Sequence, residues 1–462
     1  MNKTQITLSP VDGSVVAERP LSDISEINQA LSQAQKVQSD WQKIDLEERQ
    51  RICSKAVDNF VAQKDDIASE ITWQMGRPIK YAAGEVAGFE ERARYMIAAS
   101  SEALKPITVP EKAGFTRYIC KQALGVVLVI APWNYPYLTA INSIMPALLA
   151  GNAVLLKHSA QTPLCAERMV EAFLKAGLPE GLFQYLHISH EHTEYLIQRD
   201  AVKHVAFTGS VSAGAMVEKA AAGRFIGMGL ELGGKDPAYV RADADLDAAT
   251  DTVIDGAFFN SGQSCCGIER VYVHEAVYDA FVEKAISLVK QYRLGRPDDP
   301  ETTLGPLVKS SAADFVRRQV EEAVSQGAVA HIDPTWFPKH EPGTPYLAPQ
   351  LLTNVNHDMR VMTEESFGPV LGIQKVSSDE AAVGLMNDSE FGLTAAIFSR
   401  DIERAVELGR QVQTGTFFVN RCDYLDPALA WTGIKNSGRG CTLSVLGFDA
   451  LTRPKSFHIK HG

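Results

Sequence analysis

The chain is short of several features, and each absence removes a class of protein. Its seven cysteines, at 53, 120, 165, 265, 266, 422 and 441, are odd in number and match no zinc spacing. Neither a disulfide framework nor a metal centre is therefore expected, and a reducing, cytoplasmic setting is. Lys and Arg form no block, and the formal net charge is −11 over 462 residues; no nucleic-acid partner is expected, because no run of phosphates could be neutralised. Met1 to Pro20 lacks a basic stretch followed by an apolar one, so no export signal is expected. The most apolar region, Leu124 to Leu156, is interrupted by Pro132, Asn134, Pro136, Asn142, Pro146 and Asn152, and reads as protein interior rather than membrane. There is no internal repeat and no low-complexity tract.

What remains is an ordinary globular composition, 45% hydrophobic and 22% charged. The length exceeds what one hydrophobic core supports, so two or three domains are expected. From Ser22 to Leu104 the pattern is helical. Asp23 and Glu26 form a capping box, Ile27, Leu31 and Ala34 share a face, and Gly76 followed by Pro78 stops a helix. From Phe115 the reading turns to β, with Tyr118 to Cys120 and Val126 to Ile130 as strands. Strands and helices then alternate: strands at 153–157 and 203–208, helices at 166–176 and 213–222. That succession predicts a parallel sheet with crossover helices, a doubly wound nucleotide-binding domain. A second α/β unit follows Gly234, with helices at 245–259, 277–292, 316–326 and 402–411 and strands at 270–274, 367–376, 394–399 and 416–420. The Pro- and Gly-rich stretch 331–351 reads as a surface excursion.

Four stretches have chemistry in them. Phe258 to Gly267 is turn-rich and contains the adjacent thiols Cys265 and Cys266, either of which is a candidate nucleophile. Leu230-Glu231-Leu232-Gly233-Gly234-Lys235 offers a carboxylate among apolar and glycine neighbours, a candidate base. Phe207-Thr208-Gly209-Ser210 hands a strand over to a helix, where backbone N–H groups can meet a phosphate, and Lys157 ends a strand within reach of a ribose or phosphate. Pro132-Trp133-Asn134-Tyr135-Pro136 follows a strand, at the edge where open α/β sheets bind ligands.

Those four motifs, with Glu364-Glu365-Ser366-Phe367-Gly368-Pro369 and Lys435-Asn436-Ser437-Gly438-Arg439-Gly440, stand in an order and spacing that resembles the aldehyde dehydrogenase superfamily over nearly the whole chain. The resemblance implies a Rossmann-like NAD(P)-binding domain (1–105 and 124–233), a catalytic domain (234–450) and a small β bridging element (106–123 and 451–462) that pairs subunits into a homodimer or homotetramer. It implies Cys265 as nucleophile, Glu231 as general base and Asn134 as oxyanion donor. Trp133, Lys157, Ala160, Phe207, Gly209, Ser210, Leu232, Glu365 and Phe367 are implied as contacts to NAD or NADP, and Tyr135, Asn142, Phe259, Ser264, Cys266 and Tyr424 as the substrate pocket.

Departures from the family pattern shape the expected specificity. Many NAD-selective relatives have a Glu where Ala160 stands, so nothing repels a 2′-phosphate and acceptance of NADP is expected. Relatives acting on succinate semialdehyde have arginines at the positions of Asn142 and Phe259, so an uncharged aliphatic or aromatic aldehyde is expected here. Tyr135, Asp423 and Asp426 leave an aminoaldehyde or betaine-aldehyde type open, and a succinate-semialdehyde type is the other alternative; a turn around Pro427 is the first reading of the two aspartates. Ala430-Trp431-Thr432-Gly433 departs from the usual Pro-Phe-Gly-Gly. A cysteine hydrolase using His274, a non-catalytic binding protein of the same fold and a CoA-acylating reductase are the rival readings.

Overall fold

The strand Val126–Ala131 is buried along its whole length, as six apolar residues in a row require, and a sheet covered on both faces grows from it. In this computed structural model, which describes residues 4–462, the chain steps outward from that strand through Ala153–His158 to Phe183–Tyr185. It then returns to the other side as Val202–Thr208 and Gly227–Glu231, all in parallel. Gly438–Arg439 closes that edge antiparallel to Gly227–Glu231. The winding direction reverses between Val126–Ala131 and Val202–Thr208. Their carboxyl ends therefore diverge into a crevice, and Trp133 and Asn134 follow one end while Gly209 and Ser210 follow the other. The apolar region seen in the sequence resolves into strand, buried helix Pro136–Leu149 and strand. Among the described residues no helix is long and apolar enough to cross a membrane.

A second sheet of seven strands is built around Asp236–Val240 and Ile268–His274, which are parallel and carry most of the second core. Val370–Val376 and Gln350–Thr353 extend it on one side, Thr394–Phe398 and Thr416–Val419 on the other, and only the short Val329–Ala330 runs antiparallel. Cys265 precedes Ile268–His274, so the thiols lie at the amino edge of this sheet. They face the carboxyl edge of the first sheet, to which they are tied by a hydrogen bond from Asn134 Nδ2 to the Gln263 carbonyl (3.2 Å). A third, three-stranded sheet has Phe115–Ala123 at its centre, paired with Ile107–Thr108 and, over nine residues, with Thr452–Lys460.

The helical N-terminal part follows the sequence pattern closely. Asp23 and Glu26 cap reciprocally (2.9 and 2.8 Å), and Gly76 ends Lys64–Met75 at φ 84°. The sequence reading needs correction at four points. The hairpin Thr4–Leu8 and Val15–Pro20 was not anticipated, and Thr7 Oγ1 in it donates to the Ala160 carbonyl (2.7 Å). Gly227–Glu231 and Asp236–Val240 are strands although glycines and a proline mask their β pattern. The 331–351 stretch is no mere surface excursion, because Ile332, Phe337, Tyr346 and Leu347 are buried in the core beside the second sheet. The expected strand 367–376 begins only at Val370, since Phe367 adopts φ 51°.

Candidate active site

The loop that presents Cys265 is wound against its own preference. Asn260 (φ 53°), Ser261 (φ 57°) and Gly262 (φ 72°) are all left-handed, a conformation costing a side-chain-bearing residue about 1–2 kcal/mol. Buried hydrogen bonds offset that cost: Asn260 Nδ2 donates to the Asn134 and Gln263 carbonyls (3.3 Å each), Ser261 Oγ to the Gly305 carbonyl (2.9 Å), and Val308 N–H to Gln263 Oε1 (2.8 Å). A Cβ on Gly262 would stand 2.4 Å from the Gly368 carbonyl oxygen. Gly262→Ala is therefore expected to lose about 2–5 kcal/mol, strain and overpacking together, and to lose reactive-thiol titre in parallel. Urea unfolding alongside thiol titration checks this; wild-type values in both would contradict it.

A buried ion pair braces the other wall. Arg77 donates to Glu85 Oε2 and to the Asn134 carbonyl (2.5 Å each) and lies 4.7 Å above the Tyr135 ring. Glu85 Oε1 accepts from the Tyr137 and Leu138 N–H groups (2.9 and 3.1 Å), capping the helix Pro136–Leu149. Asn134 is thus fixed through its carbonyl, and one of its two amide N–H donors goes to Gln263. The other is left for a ligand. Arg77 covers one π face of Tyr135, and its charge opposes a second cation on the same ring.

Glu231 ends its strand facing the same space. Thr442 Oγ1 donates to Oε1 (2.6 Å) and Thr208 Oγ1 to Oε2 (3.2 Å). Burial raises its pKa, with the two hydroxyls and Arg92 opposing. Cys265, Cys266, Glu231, Tyr135, Asn142 and Phe259 share the wall of one cavity of about 630 Å³, with Tyr424 near Glu91 at its rim. Ser264, expected on that wall, is instead buried and donates to Asp423 Oδ1 (3.1 Å), where Cys266 Sγ also donates (2.9 Å). The hydrogen bond with Cys265, burial and the Asp423 carboxylate push the Cys266 thiol well above its usual range, so it stays protonated. Cys265 makes no such bond to a carboxylate. Asp423 is consumed by these donors, whereas Asp426 caps a turn by accepting from Ala428 N–H (2.9 Å).

The crevice suits a dinucleotide. Ser210 caps Val211–Ala221, whose first-turn N–H groups open toward the crevice, and Gly209 leaves no room for a Cβ beside the Phe207 ring (2.7 Å). Leu232 likewise leaves no room at Gly214, where a Cβ would stand 2.6 Å from its side chain. Lys157 is half-buried with its pKa lowered by burial, and it has no acceptor among the described residues. The orphaned ammonium, with no carboxylate at exposed Ala160, fits an anionic group there. Trp133 and Phe367 meet edge to face at 5.7 Å, and Glu365, which accepts from Gly234 N–H (3.1 Å), is pushed up to about 8 by burial and by Glu269.

Arg77, Glu85 and Arg92 did not emerge from the sequence as site residues. For Glu85 and Arg92 the signal was a charged residue on an apolar helix stripe: Glu85, Phe89, Arg92 and Met96 all fall on the buried face of Gly84–Ala103.

The chain matches the profile described as "Aldehyde dehydrogenase family" over residues 1–457. It is 34% identical over 449 residues to a "Succinate-semialdehyde dehydrogenase [NADP(+)]" of Deinococcus radiodurans, covering 97% of this chain and 93% of that protein. The solved structure of succinic semialdehyde dehydrogenase from Streptococcus pyogenes in complex with NADP+ superposes with TM-score 0.94 at 31% identity, covering 99% of this chain and 100% of that one. An NAD-dependent aldehyde dehydrogenase from Sinorhizobium meliloti superposes with TM-score 0.95 at 31% identity, over 100% of this chain and 92% of that one.

Proposed function

The chain belongs to the aldehyde dehydrogenase family, and from that premise we propose that it oxidises an aldehyde to a carboxylic acid on Cys265 with NAD+ or NADP+. The observation that supports this most is that Cys265 and Glu231 face one cavity while the Asn134 amide is fastened to the Cys265 loop. The Cys265 thiolate adds to the carbonyl carbon, and the free Asn134 N–H with the Cys265 backbone N–H holds the resulting oxyanion. The nicotinamide, when bound, supplies the acceptor for the hydride lost from that carbon. Glu231 then takes a proton from water, which attacks the Cys265 thioester, releasing the acid and restoring the thiol. Lys157, Ser210, Glu365 and the Trp133 and Phe367 rings are the groups that would hold the cofactor.

A hydrolase would need a histidine beside Cys265; His274 instead accepts from Ala276 N–H (3.2 Å), and no histidine lines the cavity. The domain limits given above, the cytoplasmic setting suggested by seven unpaired cysteines, and pairing of subunits along the edge strand Thr452–Lys460 form part of the same proposal. On substrate, the expectation of an uncharged aldehyde stands against the names of the Deinococcus and Streptococcus relatives, which favour succinate semialdehyde. Reduced-nicotinamide formation is expected with aliphatic and carboxy aldehydes, and with NADP+ at least as well as NAD+. Absence of reduced nicotinamide across a panel of aliphatic, aromatic, amino and carboxy aldehydes would sink the reading, as would ester cleavage outpacing it without cofactor. A strong preference for NAD+ would remove the argument from Ala160.

A further inference from the structure

Arg92 is a buried cation without a counter-ion. It lies on the inner face of Gly84–Ala103, 6% exposed, on the wall of the cavity that holds Cys265 and Glu231. Buried charges are ordinarily paired, yet no carboxylate comes within ion-pair distance of Arg92 among the described residues. Its hydrogen bonds leave through Nη1 alone, to the Leu138 carbonyl (2.9 Å) and Asn142 Oδ1 (3.4 Å). A guanidinium has five N–H donors in a planar fork, so the Nε and Nη2 side is left for a ligand. Beside it Asn142, 1% exposed and also on the cavity wall, keeps its Nδ2 without any partner.

Accepting the aldehyde-oxidising reading above, we infer that Arg92 and Asn142 form the subsite that grips a carboxylate at the far end of the substrate, making this a dehydrogenase of carboxy-bearing aldehydes. The Arg92 fork and the Asn142 amide are donors without acceptors, and a carboxylate supplies what they lack. Asn142 stands at one of the two positions where the family resemblance looked for arginines and Arg92 at neither, so the cation has moved to a neighbouring helix.

The acids around the cavity do not cancel it. Asp423 is held by Ser264 and Cys266, Glu91 accepts from Tyr424 Oη (2.6 Å), and Asp255 sits exposed at the rim. Burial raises the pKa of Asp423. Burial also lowers that of Arg92, with Glu85, Cys266, Glu231 and Glu91 opposing, but a guanidinium stays charged throughout the working range.

The competing role for Arg92 is to hold Glu231 ionised from a distance, and the test separates the two. Succinate semialdehyde, butanal and 4-aminobutanal are assayed as kcat/KM with saturating NADP+, over a range of pH. The wild type is expected to prefer the carboxy aldehyde to butanal by on the order of 10²-fold, the yield of a charge-assisted pair. In Arg92→Met that ratio should collapse, chiefly through KM, and Arg92→Lys should recover part of it. Asn142→Leu should reduce the ratio several-fold. An unchanged ratio in Arg92→Met, or equal losses on all substrates with a shifted pH profile, would overturn the subsite; so would a wild-type preference for 4-aminobutanal. Should Arg92→Met fail to fold by circular dichroism, the wild-type ratio and Asn142→Leu decide. A wild type that oxidises none of the three would overturn the aldehyde-oxidising reading itself.

Discussion

Cys265→Ala is expected to abolish aldehyde-dependent reduction of NADP+, by on the order of 10⁴-fold or more in kcat. An aldehyde carbon does not readily surrender hydride until it is tetrahedral and carries an oxyanion, and only a nucleophile in the cavity makes it so. The adjacent Cys266 is no substitute. Its sulfur is engaged 2.9 Å from Asp423 Oδ1, and its pKa is pushed far up by the Cys265 hydrogen bond, burial and that carboxylate. Its neighbour's removal leaves the carboxylate in place, so the thiol stays protonated and unreactive. Steady-state assay together with mass-spectrometric mapping of an iodoacetamide adduct decides the matter. The wild type should be labelled at Cys265 and the variant at neither residue of the pair. Substantial turnover in the variant, or label transferred to Cys266, would show that the two thiols had been assigned in the wrong order.

The fold was readable where local signals agreed with burial. The Asp23–Glu26 capping box, the Gly76 stop and the all-apolar Val126–Ala131 each have a single physical meaning, and each stands as read. The misses share a cause. Gly227–Glu231 contains two glycines and Asp236–Val240 a proline, so their β propensity is poor, and they are strands only because parallel neighbours pair with them. In 331–351, Pro and Gly punctuate the chain as a loop would, but the apolar residues between them are too many to leave in water. Sequence-local rules cannot see a partner that lies 158 positions away, as Thr394 does from Asp236.

The site divides along the same line. Residues proposed to act by chemistry stand out by type and motif, as Cys265, Glu231 and Asn134 do in the stretches that carry the family resemblance. Residues that act by holding others do not. Arg77 looked like part of a helix stop, yet its guanidinium joins Glu85, Asn134, Asn260 and the Tyr135 ring at one point. Asp423 read first as part of a turn and second as a cation site, and is instead the acceptor that fixes Cys266 and Ser264. Such roles depend on three-dimensional coincidence of segments far apart in the chain.

Glu231→Gln should separate the two halves of the reaction. Glutamine keeps the shape, its Oε1 accepting from one of Thr442 and Thr208 while its amide donates to the other hydroxyl, so acylation of Cys265 continues and one equivalent of reduced cofactor appears in a pre-steady-state burst. What it cannot do is take a proton from water. Turnover after the burst is expected to fall by roughly 10²–10⁴-fold, the usual worth of a positioned base. In the wild type, burial lifts the Glu231 pKa above 4.5, so deacylation should weaken as pH falls through that raised value. The sign for stability is the opposite. Between the unfolded and the raised folded pKa the native state holds more protons than the unfolded state, so ionising Glu231 costs stability as pH rises. The variant, with no charge to bury, should therefore be no less stable than the wild type at neutral pH. Rapid-mixing absorbance at the reduced-cofactor band measures the burst, and added hydroxylamine, which attacks a thioester without a base, should restore turnover. If the burst is lost as well, Glu231 acts earlier, on the Cys265 proton, and the thioester is not what accumulates.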